Sequence, residues 1–139
     1  MSTEDSRLLP LAAWDGDLRR ILELLDAGVD IDSEYEFGIS PLHAAIENSQ
    51  PAALELLLSR GADPNLANSN GWTPLAHAIE LELDFASGRQ RPLPELSAIL
   101  IQWGSDPDMS VPGHGTIRNW VERVGYVEVA RLLPPIRAG

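Results

Sequence analysis

The stretch "GWTPLAHAIE", Gly71 to Glu80, decides the fold, because a second copy, "GISPLHAAIE", stands at Gly38 to Glu47. The two begin 33 positions apart, and Pro41 and Pro74, Leu42 and Leu75, Gly28 and Gly61, and Asp30 and Asp63 keep the same offset. Independent landmarks sharing one offset mark an internal repeat, and a period of this size belongs to stacked-repeat architectures. Further on the offset becomes 43, from Gly61 to Gly104, Asp63 to Asp106, Pro64 to Pro107 and Thr73 to Thr116. One repeat has therefore gained ten residues.

Within a unit the local chemistry is readable. Ser40 or Thr73 can cap a helix, with Pro41 or Pro74 in its first turn, where a missing N–H costs nothing and φ is already helical. The small residues that follow, Ala44 and Ala45 or Ala76 and Ala78, permit close packing on a neighbouring unit. Pro51 starts a second helix, whose Leu54, Leu57 and Leu58 have the i, i+3, i+4 spacing of one buried stripe. Gly61 then supplies a left-handed position that a residue with a Cβ would resist. In the lengthened unit, Leu81 to Phe85 extends the first helix, Ala86 to Leu93 forms a loop, and the second helix restarts near Pro94.

The run "GISPLHAA…LELLLSRGADPN" resembles the ankyrin repeat, whose pattern is G-x-T-P-L-H-x-A-A, a Leu-rich helix and G-A-D-x-N. The likeness is fullest over 38–76, extends to 8–32 and 94–108, and thins beyond 113, where "GYVEVARLL" survives but Pro-Leu-His does not. It implies an all-α solenoid in one domain over 1–139, with four helix-turn-helix units at about 7–37, 38–70, 71–112 and 113–139 and the ten-residue insertion in the third. Since each unit buries its apolar face only on a neighbour, about three are needed for stability, and four meets that requirement.

Composition bounds the function. With 44% hydrophobic and 22% charged residues, the 139-residue chain can form a core and does not read as disordered. Its 21 acids face 10 bases, all of them arginine, for a net charge of −11. A phosphate backbone would be repelled, which argues against nucleic acid as a partner. Residues 1–36 hold ten acids and three arginines, while 113–139 hold two acids and four arginines, so a basic partner is expected to approach the amino-terminal half. Cysteine is absent, which removes disulfides, thiolate nucleophiles and Cys-based metal sites together. No apolar run reaches membrane-span length and "MSTEDS" is not a signal peptide, so a cytoplasmic chain that avoids the membrane is the expectation. Arginine without lysine, beside abundant Ala, Leu and Gly, points to a GC-rich bacterial genome.

No motif carries catalysis. The histidines at 43, 77 and 114 lack H-x-x-x-H or H-E-x-x-H spacing, so no metal site is expected. There is no G-x-S-x-G elbow and no phosphate-cradling loop, so the chain is read as non-enzymatic and without a cofactor, an enzyme whose Ser-His-Asp set is assembled in space being the remote alternative. The resemblance makes His43 a structural histidine, hydrogen-bonded between adjacent turns, and leaves His77 one position out of register.

What remains is surface. In the ankyrin family, binding uses the turn tips and the exposed side of the first helices along a concave face. The matching positions are Trp14 and Asp15 in the first unit, then Glu34, Glu36, Phe37 and Ile39 at the first turn, and Glu47 and Asn48 in the second unit. Ser69, Asn70 and Trp72 follow at the next turn, and Glu80 in the third unit. Aromatic residues among carboxylates suit a basic protein, since Trp anchors hot spots and rim charge sets encounter rate. The plainer reading of Trp72 and Phe37 is that they pack across adjacent turns, half-buried. Trp14 aligns with Glu47, a solvent-facing position; Trp120 aligns with Ala44 and belongs to the core, while Trp103 covers the end of a second helix. Arg89 and Arg91, the only arginines between Arg60 and Arg118, stand alone in an acidic field and offer a second recognition element. Small acidic proteins of this build resemble the immunity proteins that neutralise secreted toxins. The alternative is a regulatory or scaffolding adaptor for a cellular protein, using the Arg89 to Arg91 loop.

Overall fold

Ser40, Thr73 and Thr116 each start a helix as their hydroxyls dictate. The side-chain oxygen accepts the backbone N–H three residues on, from His43 at 3.2 Å, Ala76 at 3.2 Å and Asn119 at 3.1 Å. The computed structural model describes residues 3–34, 39–86 and 93–136, with only the backbone of 3–6 and 85. In these segments the helices are α1 (Thr3–Asp15), α2 (Leu18–Asp26), α3 (Pro41–Glu47), α4 (Pro51–Ser59), α5 (Pro74–Phe85), α6 (Glu95–Gln102), α7 (Ile117–Val124) and α8 (Val127–Ala130).

Each odd-numbered helix packs on the even-numbered one that follows it. Between pairs, α1 lies on α3 and α3 on α5 as an inner row, while α2 lies on α4 and α4 on α6 as an outer row. Ala12, Ala13, Ala44, Ala45, Ala76 and Ala78, all buried, let the inner helices approach closely. The second helices add Ile21, Leu24, Leu54, Leu57, Leu58, Leu96 and Leu100, so one continuous core runs along the stack to Val121, Tyr126 and Val129. This is the helical solenoid expected from the repeat. Gly61 has φ +99°, just beyond the end of α4, as its place past a helix end requires.

The turns are joined by a repeated side-chain bond. Asp32 accepts the N–H of Asp63 at 3.1 Å, and Asn65, 33 positions later, accepts that of Asp106 at 2.6 Å. Asp108, at the same place one unit on, instead holds Arg118 at 2.8 Å, and Arg118 also donates to the carbonyl of Pro134 at 2.7 Å. That ion pair keeps the guanidinium more basic than usual, chiefly through the hydrogen bond to Asp108.

Two features go beyond the repeat pattern. A short antiparallel hairpin, β1 (Ser110–Val111) with β2 (Gly115–Thr116), pairs Val111 with Gly115 and bends through Gly113 at φ +81°. In the helical extension, Glu82 is only 7% exposed and accepts four hydrogen bonds. They come from the N–H groups of Leu96 and Ser97 at 3.0 and 2.9 Å, the Ser97 hydroxyl at 2.7 Å and the Tyr126 hydroxyl at 2.9 Å. Pro94 gives α6 no side-chain cap, so a carboxylate from the preceding helix caps it. Burial pushes the Glu82 carboxyl above its usual range, against the pull of the bonds from Ser97, Tyr126 and Leu96. Burial beside this carboxylate raises the Tyr126 phenol in turn.

Candidate partner-binding face

The inner row carries one equivalent position per unit at 33-residue spacing: Trp14 on α1, Glu47 on α3 and Glu80 on α5. Trp14 is 40% exposed, large for an indole in a folded chain. Its carbonyl accepts the side-chain amides of Asn48 at 2.8 Å and Gln50 at 3.1 Å, so α1 ends on hydrogen bonds supplied by the next unit. Glu47 meets His77 Nε2 at 2.5 Å. Glu80 and Asp15 are exposed.

Beneath this row lies a histidine pair. His43 Nε2 donates to the carbonyl of Trp72 at 3.0 Å, and Nδ1 accepts the Ser40 hydroxyl at 2.8 Å, the tautomer that satisfies both partners. The ring therefore bridges one turn to the next, in the structural role the sequence suggests. Burial pushes it down to about 4, and the stacked ring of His77, 5.4 Å away, adds to that effect. His43 is neutral at physiological pH.

Trp72 sits above this bridge, half-buried, with its backbone N–H donating to Asn68 Oδ1 at 3.0 Å. Its indole meets His114 and Trp120 edge-to-face, each at 5.9 Å, and those two rings stack on each other at 4.6 Å. The hairpin delivers His114 and α7 delivers Trp120, so the cluster spans the third and fourth helix pairs. Two depressions flank Trp72. The larger, about 500 Å³, is lined by Trp72, Trp120, His114, Leu83, Glu80 and Asp84. The smaller, about 340 Å³, is lined by Asn68, Asn70, Trp72, His77 and Glu80.

Of the positions expected to meet a partner, Asn70, Trp72 and Glu80 come together around these depressions. Others are occupied differently. Ile39 is half-buried against the core, because it enters the turn before α3 pointing inward. Asn48 spends its amide on Trp14, and Glu34 accepts the N–H of Ser69 at 2.8 Å and its hydroxyl at 3.1 Å, tying adjacent turns. Glu36, Phe37, Arg89 and Arg91 lie outside the described residues. Trp120 is core, 5% exposed, whereas Trp103 ends α6 at 39% exposed and covers less than its position suggests. Asp84, Leu83 and His114 were not identifiable from the repeat register, since they sit in the helical extension and the hairpin; the i, i+4 spacing of Glu80 and Asp84 was the one signal available.

Among the described residues no group of three or more His, Cys, Asp or Glu could hold a metal ion, and no helix is long and apolar enough to cross a membrane.

Residues 9–87, more than half of the chain, match the family described as Ankyrin repeats (3 copies). The human 2-5A-dependent ribonuclease is 40% identical over 74 residues, covering 52% of this chain and 10% of that protein. An ankyrin repeat-containing protein of Schizosaccharomyces pombe is 36% identical over 73 residues, covering 52% of this chain and 35% of its own. The Ankyrin repeat, SAM and basic leucine zipper domain-containing protein 1 of Loxodonta africana is 25% identical over 126 residues, 91% of this chain and 25% of its own. The chain thus spans about a third or less of the length of these curated relatives.

Proposed function

The chain belongs to the ankyrin-repeat family, and on that premise we propose that it is a protein-binding module whose acidic, aromatic inner face captures and neutralises a basic protein. The observation that carries the reading is the surface around Trp72, where indole and carboxylates share two adjoining depressions on a chain of net charge −11. Trp14 and Asp15 extend that face toward the first unit, within four units divided near 37, 70 and 112. A secreted toxin is the kind of partner this charge suits, with the chain as its cytoplasmic immunity protein. Charge and size support that finer step; the relatives named above are eukaryotic and none is named for toxin inhibition.

The test is affinity capture from the native extract at low and at high salt, the bound protein identified by mass and its affinity then measured. One basic protein, weakened by salt and by Asp15→Lys with Glu80→Lys, is the expected result. An acidic partner, or tight binding indifferent to salt and to both reversals, would sink the charge argument. The adaptor reading is favoured by the relatives in which the matched region is a fraction of a longer protein. It predicts that deleting Ser87 to Arg91 abolishes binding while leaving helicity intact.

A further inference from the structure

We infer that the larger depression beside Trp72 is an arginine pocket, filled by a guanidinium side chain of the partner; this rests on the basic-partner reading and specifies its chemistry. Glu80 and Asp84 stand one helical turn apart on α5, both exposed, on the rim of the same 500 Å³ space. Several other acids among the described residues are occupied: Glu47 by His77, Glu34 by Ser69, Asp108 by Arg118 and Glu82 by its buried donors. Among the described residues, neither Glu80 nor Asp84 has an ion-pair partner. Arg123, 43 positions after Glu80 in the repeat register, is tied to the carbonyl of His114 at 3.0 Å and does not line the space.

The aromatic part of the lining is already assembled. Trp72, His114 and Trp120 hold one another at 4.6 to 5.9 Å, so little ordering cost falls on binding. Two exposed carboxylates and an indole lining one depression favour a flat cation. A guanidinium can donate its fork to the two carboxylates while its face lies on the ring, and its aliphatic stem can cover Leu83. An ammonium is a point charge and meets only part of this arrangement.

The probe is the capped tripeptide Gly-Arg-Gly, titrated into the full chain while the indole N–H resonances of Trp72 and Trp120 are followed by NMR, with lysine and citrulline peptides as controls. Saturable shifts at both indoles are expected with arginine, weaker ones with lysine and none with citrulline. The exposed double substitution Glu80→Gln with Asp84→Asn, its folding checked by circular dichroism, should weaken arginine binding at least about tenfold, about 1.4 kcal/mol. Equal shifts with citrulline, no shift at either indole, or undiminished binding by the double variant would overturn the pocket. Shifts confined to the neighbourhood of Trp14 and Asp15 would overturn it while leaving a basic partner in place. Capture of an acidic partner from the extract would overturn the partner reading without touching this titration.

Discussion

Acidification should remove about 3 kcal/mol of stability through one side chain, His43. In the unfolded chain its ring takes up a proton near the ordinary value of 6.5; in the folded chain it does so only near 4. Above pH 6.5 the ring is neutral in both states and the contribution is complete. As pH falls below that, only the unfolded state binds the proton, and stability drains away until the folded ring also titrates near pH 4. Each unit of separation is worth about 1.4 kcal/mol, and His43 is 2% exposed, so solvent screening takes little from the total. Glu82 and Asp32 act in the opposite sense. Burial raises both carboxyls, so their ionisation weighs on the folded state as pH rises, and acidification relieves that weight. The difference between wild type and His43→Gln isolates the imidazole, because glutamine does not titrate and keeps an N–H that can reach toward Trp72. Urea unfolding at pH 7 and at pH 4 is the assay. Between them the wild type should lose about 3 kcal/mol more than the variant, which thermal unfolding would read as roughly 10 °C in midpoint for a chain of this size. Parallel losses in the two proteins, or an NMR titration of His43 centred near its unperturbed value, would refute the reasoning.

Glu82→Ala should cost about 3 kcal/mol by denaturant unfolding, because the N–H groups of Leu96 and Ser97 and the hydroxyl of Tyr126 lose a buried acceptor together. Tyr126→Phe removes one donor of the four and should cost about 1 kcal/mol; equal losses in the two variants would contradict the network. Asn65→Ala and Asp32→Ala cut the same bond at successive turns, so each should cost roughly 1 kcal/mol and the double variant close to their sum. Gly61→Ala places a Cβ where nothing lies within 4 Å, yet at φ +99°, and should cost about 1 kcal/mol from backbone strain alone.

The legible part of this chain is the part that repeats. Ser40 and Thr73 cap, Pro41 and Pro74 follow the caps, and Gly28 and Gly61 share a positive φ, because backbone chemistry is local and recurs with the period. Side-chain partnerships are not local. Asn48 and Glu47 look alike in sequence, two polar residues at the end of α3. One spends its amide on the preceding unit and the other meets a histidine on the following one, a distinction set by which neighbour each faces. The hairpin that brings His114 to Trp72 was hidden for the same reason, since two-residue strands leave no periodicity to read.

The insertion carries this furthest. Added residues at a loop cost little entropy, so the extra length alone implies no role. Glu82 changes that, because the lengthened helix brings a carboxylate to the start of α6 and onto Tyr126. Within the same extension Leu83 and Asp84 form part of the larger depression. Consecutive residues of one helical turn thus serve opposite faces: position 82 anchors the fourth helix pair through the core, and positions 83 and 84 shape the inner surface beside it. A helix rotates by about a hundred degrees per residue, so this division follows from its geometry. Any change that shifts the register of α5 beyond Glu80 must disturb the cap and the depression together, which couples the stability of the last units to the shape of the face that would meet a partner.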